Sequence, residues 1–208
     1  MARRFCPQLH GEILDVGCGI QPYRALLAEA SGYVGLDSNP SLEPDVVGSV
    51  LRLPFENGSF DGALCNEVLE HVPTPGRALE ELHRVLRRGG RLYVTVPQAW
   101  GLHYEPHDYY RYTRHGISHL LEQAGFELLE IRQMGGLFSY AAVRLIDLMV
   151  LRGLFPLLER IHVRRGRYRL AALLALPFNV VALPLTSLLD RVDPLNAYGW
   201  AVLAVKAG

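Results

Sequence analysis

As far as residue 133, short apolar runs alternate with segments whose apolar residues recur at helical spacing. The runs at 12–16, 33–37, 46–48, 60–65, 90–96 and 126–132 predict six strands. Between the first two, "QPYRALLAEASG" predicts a helix stopped by Gly32. In "TPGRALEELHRVLRRGG", Thr74 is the expected N-cap and Pro75 a first-turn residue. Ala78, Leu82, Val85 and Leu86 then share one buried face, and Gly89 is the expected stop. "TRHGISHLLEQAGF" repeats the scheme from Thr113 to Gly125. Parallel strands need helical crossovers, so the alternation predicts an α/β sheet, mostly parallel, with helices on both faces. The rhythm breaks at about 137–190, where two long apolar stretches flank an arginine-rich loop. "YGWAVLAVKAG" restores a seventh strand at about 199–206. One domain spanning 1–208, with a helical apolar insertion before its last strand, is the expected organisation.

Composition narrows the picture. Half of the 208 residues are hydrophobic, enough for a substantial core and against disorder. The 21 basic side chains balance 21 acidic ones, so no global field favours nucleic acid and none is expected as a partner. Cys6, Cys18 and Cys65 are scattered without zinc spacing; a reduced compartment and no metal are expected. The opening "MARRFCPQLH" is basic but lacks the apolar run of a signal peptide, which predicts a cytoplasmic protein.

The candidate chemistry starts at "ILDVGCGIQPY", a strand running into a glycine turn. Gly17 and Gly19 lack side chains, so a ligand can lie against the backbone. A dinucleotide fingerprint would want a third glycine where Pro22 stands, and no Walker-type phosphate loop occurs. Asp37 ends the second strand, twenty residues after Gly17, where a carboxylate can accept hydrogen bonds from both ribose hydroxyls. "LRLPFENGSFDGALCNEVLEHV" then supplies a loop able to cover an adenine, and a fourth strand with Asn66 at its carboxyl end.

In order, "ILDVGCG", "GLD", "LPFENGSFD", "NEVLEHV", "ALEELHRVLRRGGRLYVTVP" and "EQAGF" resemble the class I S-adenosylmethionine-dependent methyltransferases, in particular the small-molecule type 11 methyltransferase domain. The resemblance covers about residues 11–133 plus the last strand. It implies a Rossmann-like seven-stranded sheet with the last strand antiparallel, and S-adenosylmethionine as cofactor. It also implies residue roles. Asp15, Gly17 and Gly19 would line the methionine end, Asp37 would hold the ribose, and Ser38 would lie beside the adenine. Asn66 would lie near the methionine or the transferring methyl. One departure stands out: relatives often carry an acidic residue before "LPF", where this chain has Ser49. The backbone around Val50 and Leu51 is then expected to do more of the adenine recognition.

Methyl transfer from a sulfonium asks mainly for alignment and exclusion of water, and good orientation alone gains up to roughly 7–11 kcal/mol. A base is needed only where the acceptor must lose a proton early. Candidates lie in "HYEPHDYYRYT", 103–113: His103, His107, Asp108, Tyr110 and Arg111. His107 is the candidate base and His71, in "LEHV", a second candidate near the cofactor. The structural alternative pairs Asp108 with Arg111 to shape the loop, with tyrosines packed beneath.

The apolar stretch 170–189 is about long enough to cross a bilayer, but a single crossing would put the last two strands on opposite sides. Two crossings would set the five arginines of 160–169 outside, against the positive-inside tendency. Arg144, Asp147 and Arg152 share one arc of the first segment, and Pro177 and Pro184 break the second. A hydrophobic cap or dimer contact, a monotopic contact of the arginine loop with anionic headgroups at the inner membrane face, and two true crossings stay open. The expected acceptor is small, and lipophilic or lipid-linked. Rival readings are a non-catalytic docking module of the same fold and an RNA methyltransferase using the arginine loop.

Overall fold

In the computed structural model, which describes residues 1–27, 29–146, 148, 186, 188–190 and 196–207, seven strands form one sheet. They are β1 (Glu12–Val16), β2 (Gly32–Asp37), β3 (Val46–Val47), β4 (Phe60–Asn66), β5 (Leu86–Pro97), β6 (Phe126–Met134) and β7 (Gly199–Lys206). Their order is β3-β2-β1-β4-β5-β7-β6. The pairs from β3 through β5 are parallel, and β7 runs antiparallel to both its neighbours. The fold is therefore the α/β sheet expected from the alternation, with the seven-stranded Rossmann-like order and antiparallel last strand that the resemblance implies. By contact the chain divides into two compact units, Met1–Met134 with Gly199–Gly208, and Gly135–Tyr198.

The central strands are covered on both faces, which is why they read as nearly unbroken apolar runs. On one face Ile13, Leu64, Tyr93 and Ala201 pack with Phe5, Cys6 and Leu9 of the N-terminal segment, which holds the short helix α1 (Ala2–Phe5). The ring of Phe5 lies 5.2 Å from that of Tyr93. Elsewhere the helix α2 (Pro75–Val85) buries Ala78, Leu79, Leu82 and Val85 completely. Each such leucine contributes about 2 kcal/mol relative to exposure. The third helix, α3 (Arg114–Gln123), begins with the expected cap: the Thr113 hydroxyl accepts from the Gly116 N–H at 3.0 Å. Thr74 occupies the N-cap of α2 but makes no side-chain cap bond.

Two helical expectations are corrected. The segment after Gly19 forms a 3-10 turn, Arg24–Leu27, in place of a helix over 21–32. Gln21 sits in the left-handed region at φ 56°, with its N–H tied to the Cys18 carbonyl. The bonds that follow join residues three apart, such as Leu26 to Tyr23 and Ala30 to Leu27. Helix α2, in turn, ends at Val85, and Gly89 lies inside β5 at φ 75°. Leu86 already pairs with Phe60, and the Lys206 ammonium donates to the carbonyls of His83 and Leu86, satisfying the end of the helix.

In the second unit, α4 (Leu137–Ile146) has its first N–H groups capped from far along the chain. The Asp190 carboxylate accepts from Gly136, Phe138 and Ser139 at 2.8, 2.9 and 3.2 Å. The arginine loop at 160–169 and nearly all of 170–189 lie outside the described residues. Among the described residues, no helix is long and apolar enough to cross a membrane.

Candidate cofactor and acceptor site

Strand β1 pairs with β2 on one side and β4 on the other, so successive crossovers leave it in opposite directions. Open α/β sheets bind ligands at this switch point, at the carboxyl ends of the strands. A cavity of about 490 Å³ lies there. Gly17, Gly19, Asp37, Ser38, Ser49 and Val50 line it, all of them assigned to the cofactor from sequence. Glu67, Val68, His71, Tyr104 and His107 are among the other residues that line it. Asp15, Leu51 and Asn66 are not on its surface.

The glycine turn uses its two glycines differently. At Gly17, φ is 64°, and a Cβ would come within 2.4 Å of Val68 Cγ2. At Gly19, φ is 53°, but a Cβ would meet nothing within 4 Å, so this backbone faces open space. Asp37 ties the turn to the end of β2, with Oδ2 accepting from the Gly19 N–H at 3.0 Å and Oδ1 from the Asn39 N–H at 2.8 Å. Each oxygen keeps a further lone pair for a hydroxyl donor.

Ser49 Oγ accepts from the Leu51 N–H at 3.2 Å, so both groups are already engaged with each other. The loop behind them is held by α2. Glu81 accepts from the Leu53 N–H at 2.8 Å, and Arg84 donates to the carbonyls of Leu53 and Phe55 and to Asn57 Oδ1. Asp15 is 1% exposed and accepts from the Tyr33 hydroxyl at 2.7 Å. Burial pushes its carboxyl up to about 6; the Tyr33 bond opposes this and the charge of Asp37 adds to it. At the end of β4 the Asn66 Nδ2 is buried with no hydrogen-bond partner. An open backbone at Gly19 and a carboxylate at the end of β2, both on the cavity, fit a nucleoside.

The acceptor-side segment is stitched to the turn Leu69–His71 and its continuation. The Tyr109 N–H donates to the Glu70 carbonyl, the Tyr112 hydroxyl to that of Leu69 and the Tyr110 hydroxyl to that of Pro73, each at 2.8 Å. Arg111 grips Asp108 with two nitrogens, at 2.6 and 2.7 Å, and Asp108 also accepts from the His103 N–H. The guanidinium holds the Asp108 carboxyl well below the usual range. Asp108 and Arg111 thus shape the loop, the structural alternative read from the sequence. His107 is exposed on the cavity, with Nδ1 sharing a hydrogen bond with the Tyr109 hydroxyl at 3.1 Å.

Two carboxylates here escaped the sequence reading. Glu67 lines the cavity at φ 51°, a strained conformation for a residue with a side chain. Glu70 is completely buried, and neither carboxylate oxygen has a hydrogen-bond partner. Burial first, then the charge of Glu67, pushes it up to about 8. The only sequence signal was the pair of acidic residues inside the apolar "NEVLEHV".

Comparison with known proteins agrees with this geometry. A family described as a methyltransferase domain matches residues 14–94. A candidate methyltransferase of Encephalitozoon cuniculi is 31% identical over 168 residues, covering 62% of this chain and 78% of the relative. A ubiquinone biosynthesis O-methyltransferase of Xanthomonas oryzae is 36% identical over 114 residues, covering 43% of this chain and 46% of the relative. Against several curated relatives the chain spans less than half their length, from 28% to 46%. Among solved structures, phosphoethanolamine N-methyltransferase 2 of Haemonchus contortus, in complex with S-adenosyl-L-methionine, superposes with a TM-score of 0.63 at 20% identity, over 99% of this chain and 51% of that one. The chain belongs to the class I S-adenosylmethionine-dependent methyltransferases, and its cofactor is S-adenosylmethionine.

Proposed function

We propose that this chain transfers a methyl group from S-adenosylmethionine to a small, lipophilic or lipid-linked acceptor. The cavity at the switch point carries the reading, with Gly19 open to it and Asp37 on its lining. When bound, the cofactor supplies an electrophilic methyl whose bond to sulfur breaks with the electron pair returning to sulfur. Asp37 would hold the ribose hydroxyls, Ser38 and the backbone near Val50 would flank the adenine, and Asn66, next in sequence to the lining residue Glu67, would serve the amino-acid end. The stitched loop positions the acceptor opposite and keeps water out. For a hydroxyl acceptor, His107 takes the proton through the ring nitrogen not shared with Tyr109. His71 is the second candidate base: its Nδ1 donates to the His107 carbonyl at 2.8 Å, which leaves Nε2 as the basic nitrogen.

A lipophilic acceptor is favoured by the exposed apolar side chains of the segment 100–109, whose Tyr104 lines the cavity. Leu102 and Tyr104 are 73% and 80% exposed, and Trp100 and Tyr109 lie exposed in the same segment. The ubiquinone-pathway relative points the same way by its name. The arginine loop at 160–169 would serve a lipid-borne acceptor by meeting anionic headgroups, a contact that sedimentation with anionic vesicles tests. The acceptor itself is tested with labelled cofactor and paired acceptors, a prenylated phenol and the same phenol without its chain. Turnover confined to the prenylated member is expected. Equal turnover on both would remove the lipophilic acceptor from the account.

A further inference from the structure

No metal is expected from the cysteines or from any ligand spacing in the sequence, yet three potential ligands meet beneath the acceptor loop. Glu70, His71 and His103 each offer one donor atom, and these atoms lie within 4.8 Å of one another. Glu70 Oε1 is 3.7 Å from His71 Nε2. The rings of His71 and His103 stand edge to face with centroids 4.7 Å apart. Ligands about 2.1 Å from a tetrahedral ion sit roughly 3.4 Å from each other, so modest side-chain rotation closes the set.

Two further observations point to a ligand. The Glu70 carboxylate is fully buried and both oxygens lack a hydrogen-bond partner, an arrangement that a cation would satisfy. The histidines, moreover, are held in the tautomer a metal requires. His71 Nδ1 lies 2.8 Å from the His107 carbonyl, and His103 Nδ1 lies 3.0 Å from the Gly101 carbonyl. A carbonyl only accepts, so each Nδ1 carries the proton and each neutral ring presents an Nε2 lone pair. Asp108 Oδ2 stands 3.4 Å behind His103 Nδ1, completing the kind of outer support that metal-binding histidines receive from carboxylates.

We propose that Glu70, His71 and His103 bind a divalent transition ion of the zinc class. Two imidazoles and one carboxylate suit Zn²⁺, Co²⁺ or Fe²⁺ better than Mg²⁺ or Ca²⁺, which favour all-oxygen sets. Three protein ligands leave a position for water or substrate, as in catalytic rather than structural zinc sites. Because His71 also lines the cavity, an acceptor oxygen is the natural further ligand. The site goes beyond methyl transfer and does not depend on it.

The test is metal binding, without cofactor or acceptor. The full chain, stripped with a chelator, is titrated with Zn²⁺ by calorimetry and with Co²⁺ by visible absorption. One site per chain is expected, weakened at least tenfold in Glu70→Gln and in His103→Gln, and unchanged in His119→Gln, which alters an exposed helical histidine. Circular dichroism verifies folding; should Glu70→Gln misfold, His103→Gln, at a half-buried ring, decides alone. Absence of stoichiometric Zn²⁺ and Co²⁺ binding in the wild-type chain, or affinity unaltered in the folded variants, overturns the proposal.

Discussion

The two sides of the cavity are built on opposite principles. Toward β1 and β2 the lining has a glycine turn with two glycines at positive φ, small and apolar residues such as Ser38, Ser49 and Val50, and a single carboxylate, Asp37, with the loop behind held by Glu81 and Arg84. Toward the segment 103–112 the lining is made of titratable and aromatic side chains, fixed to Leu69, Glu70 and Pro73 by hydrogen bonds. A site built on a glycine turn tolerates few substitutions at its glycines. A side-chain site can be retuned residue by residue, as befits the half that meets the acceptor.

This contrast can be broken most severely at Asp108. The carboxylate is 1% exposed and gripped by Arg111 through two nitrogens, so Asp108→Ala leaves a guanidinium without its partner. Removing one member of a buried pair costs about 3–5 kcal/mol, and urea unfolding is expected to show a loss of that size. An unchanged midpoint would mean that the loop is not held as described.

Next in size is Asp15 on the cofactor side. Burial pushes its carboxyl up to about 6, above the ordinary carboxylate range, so the folded chain holds this proton more tightly than the unfolded one. The stabilisation is complete below the ordinary range and is lost as pH rises through the window to about 6. The stabilisation amounts to about 3 kcal/mol at most. Asp15→Asn is expected to flatten the stability profile across that window, measured by unfolding at a series of pH values. A parallel profile in both proteins would refute the assignment.

The smallest effect separates the two glycines. Gly19→Ala places a methyl in open space at a left-handed position, at a cost of about 1–2 kcal/mol in stability, and also blocks the ligand. Gly17→Ala adds a clash with Val68. Unfolding and cofactor titration together are expected to show the larger stability loss at Gly17. At Gly19 cofactor affinity falls by more than stability does. Equal losses in both measurements at both positions would erase the distinction.

The cofactor half was legible in the sequence because it is local. Strand, glycine turn and strand-end aspartate lie within 26 residues, Glu12 to Asp37, and each leaves a pattern of its own. The seven strands also emerged close to their observed limits, since buried runs are continuous. The acceptor half was only half legible. His71, His103 and His107 stood out as residue types, but the burial of Glu70 depends on a segment more than thirty residues away folding over it. The two helical expectations failed for different reasons, one local and one long-range. Gln21 turns left-handed to enter a tight connection, and Lys206, from the far end of the chain, caps α2 early.

Isothermal titration of S-adenosylmethionine into the wild-type chain and into Asp37→Ala addresses the central claim most directly. One site per chain is expected, at least tenfold weaker in the variant, as befits the loss of a charged hydrogen-bond acceptor worth about 1.5–3 kcal/mol. No heat of binding to folded wild-type protein, or equal affinity in the two, would contradict it.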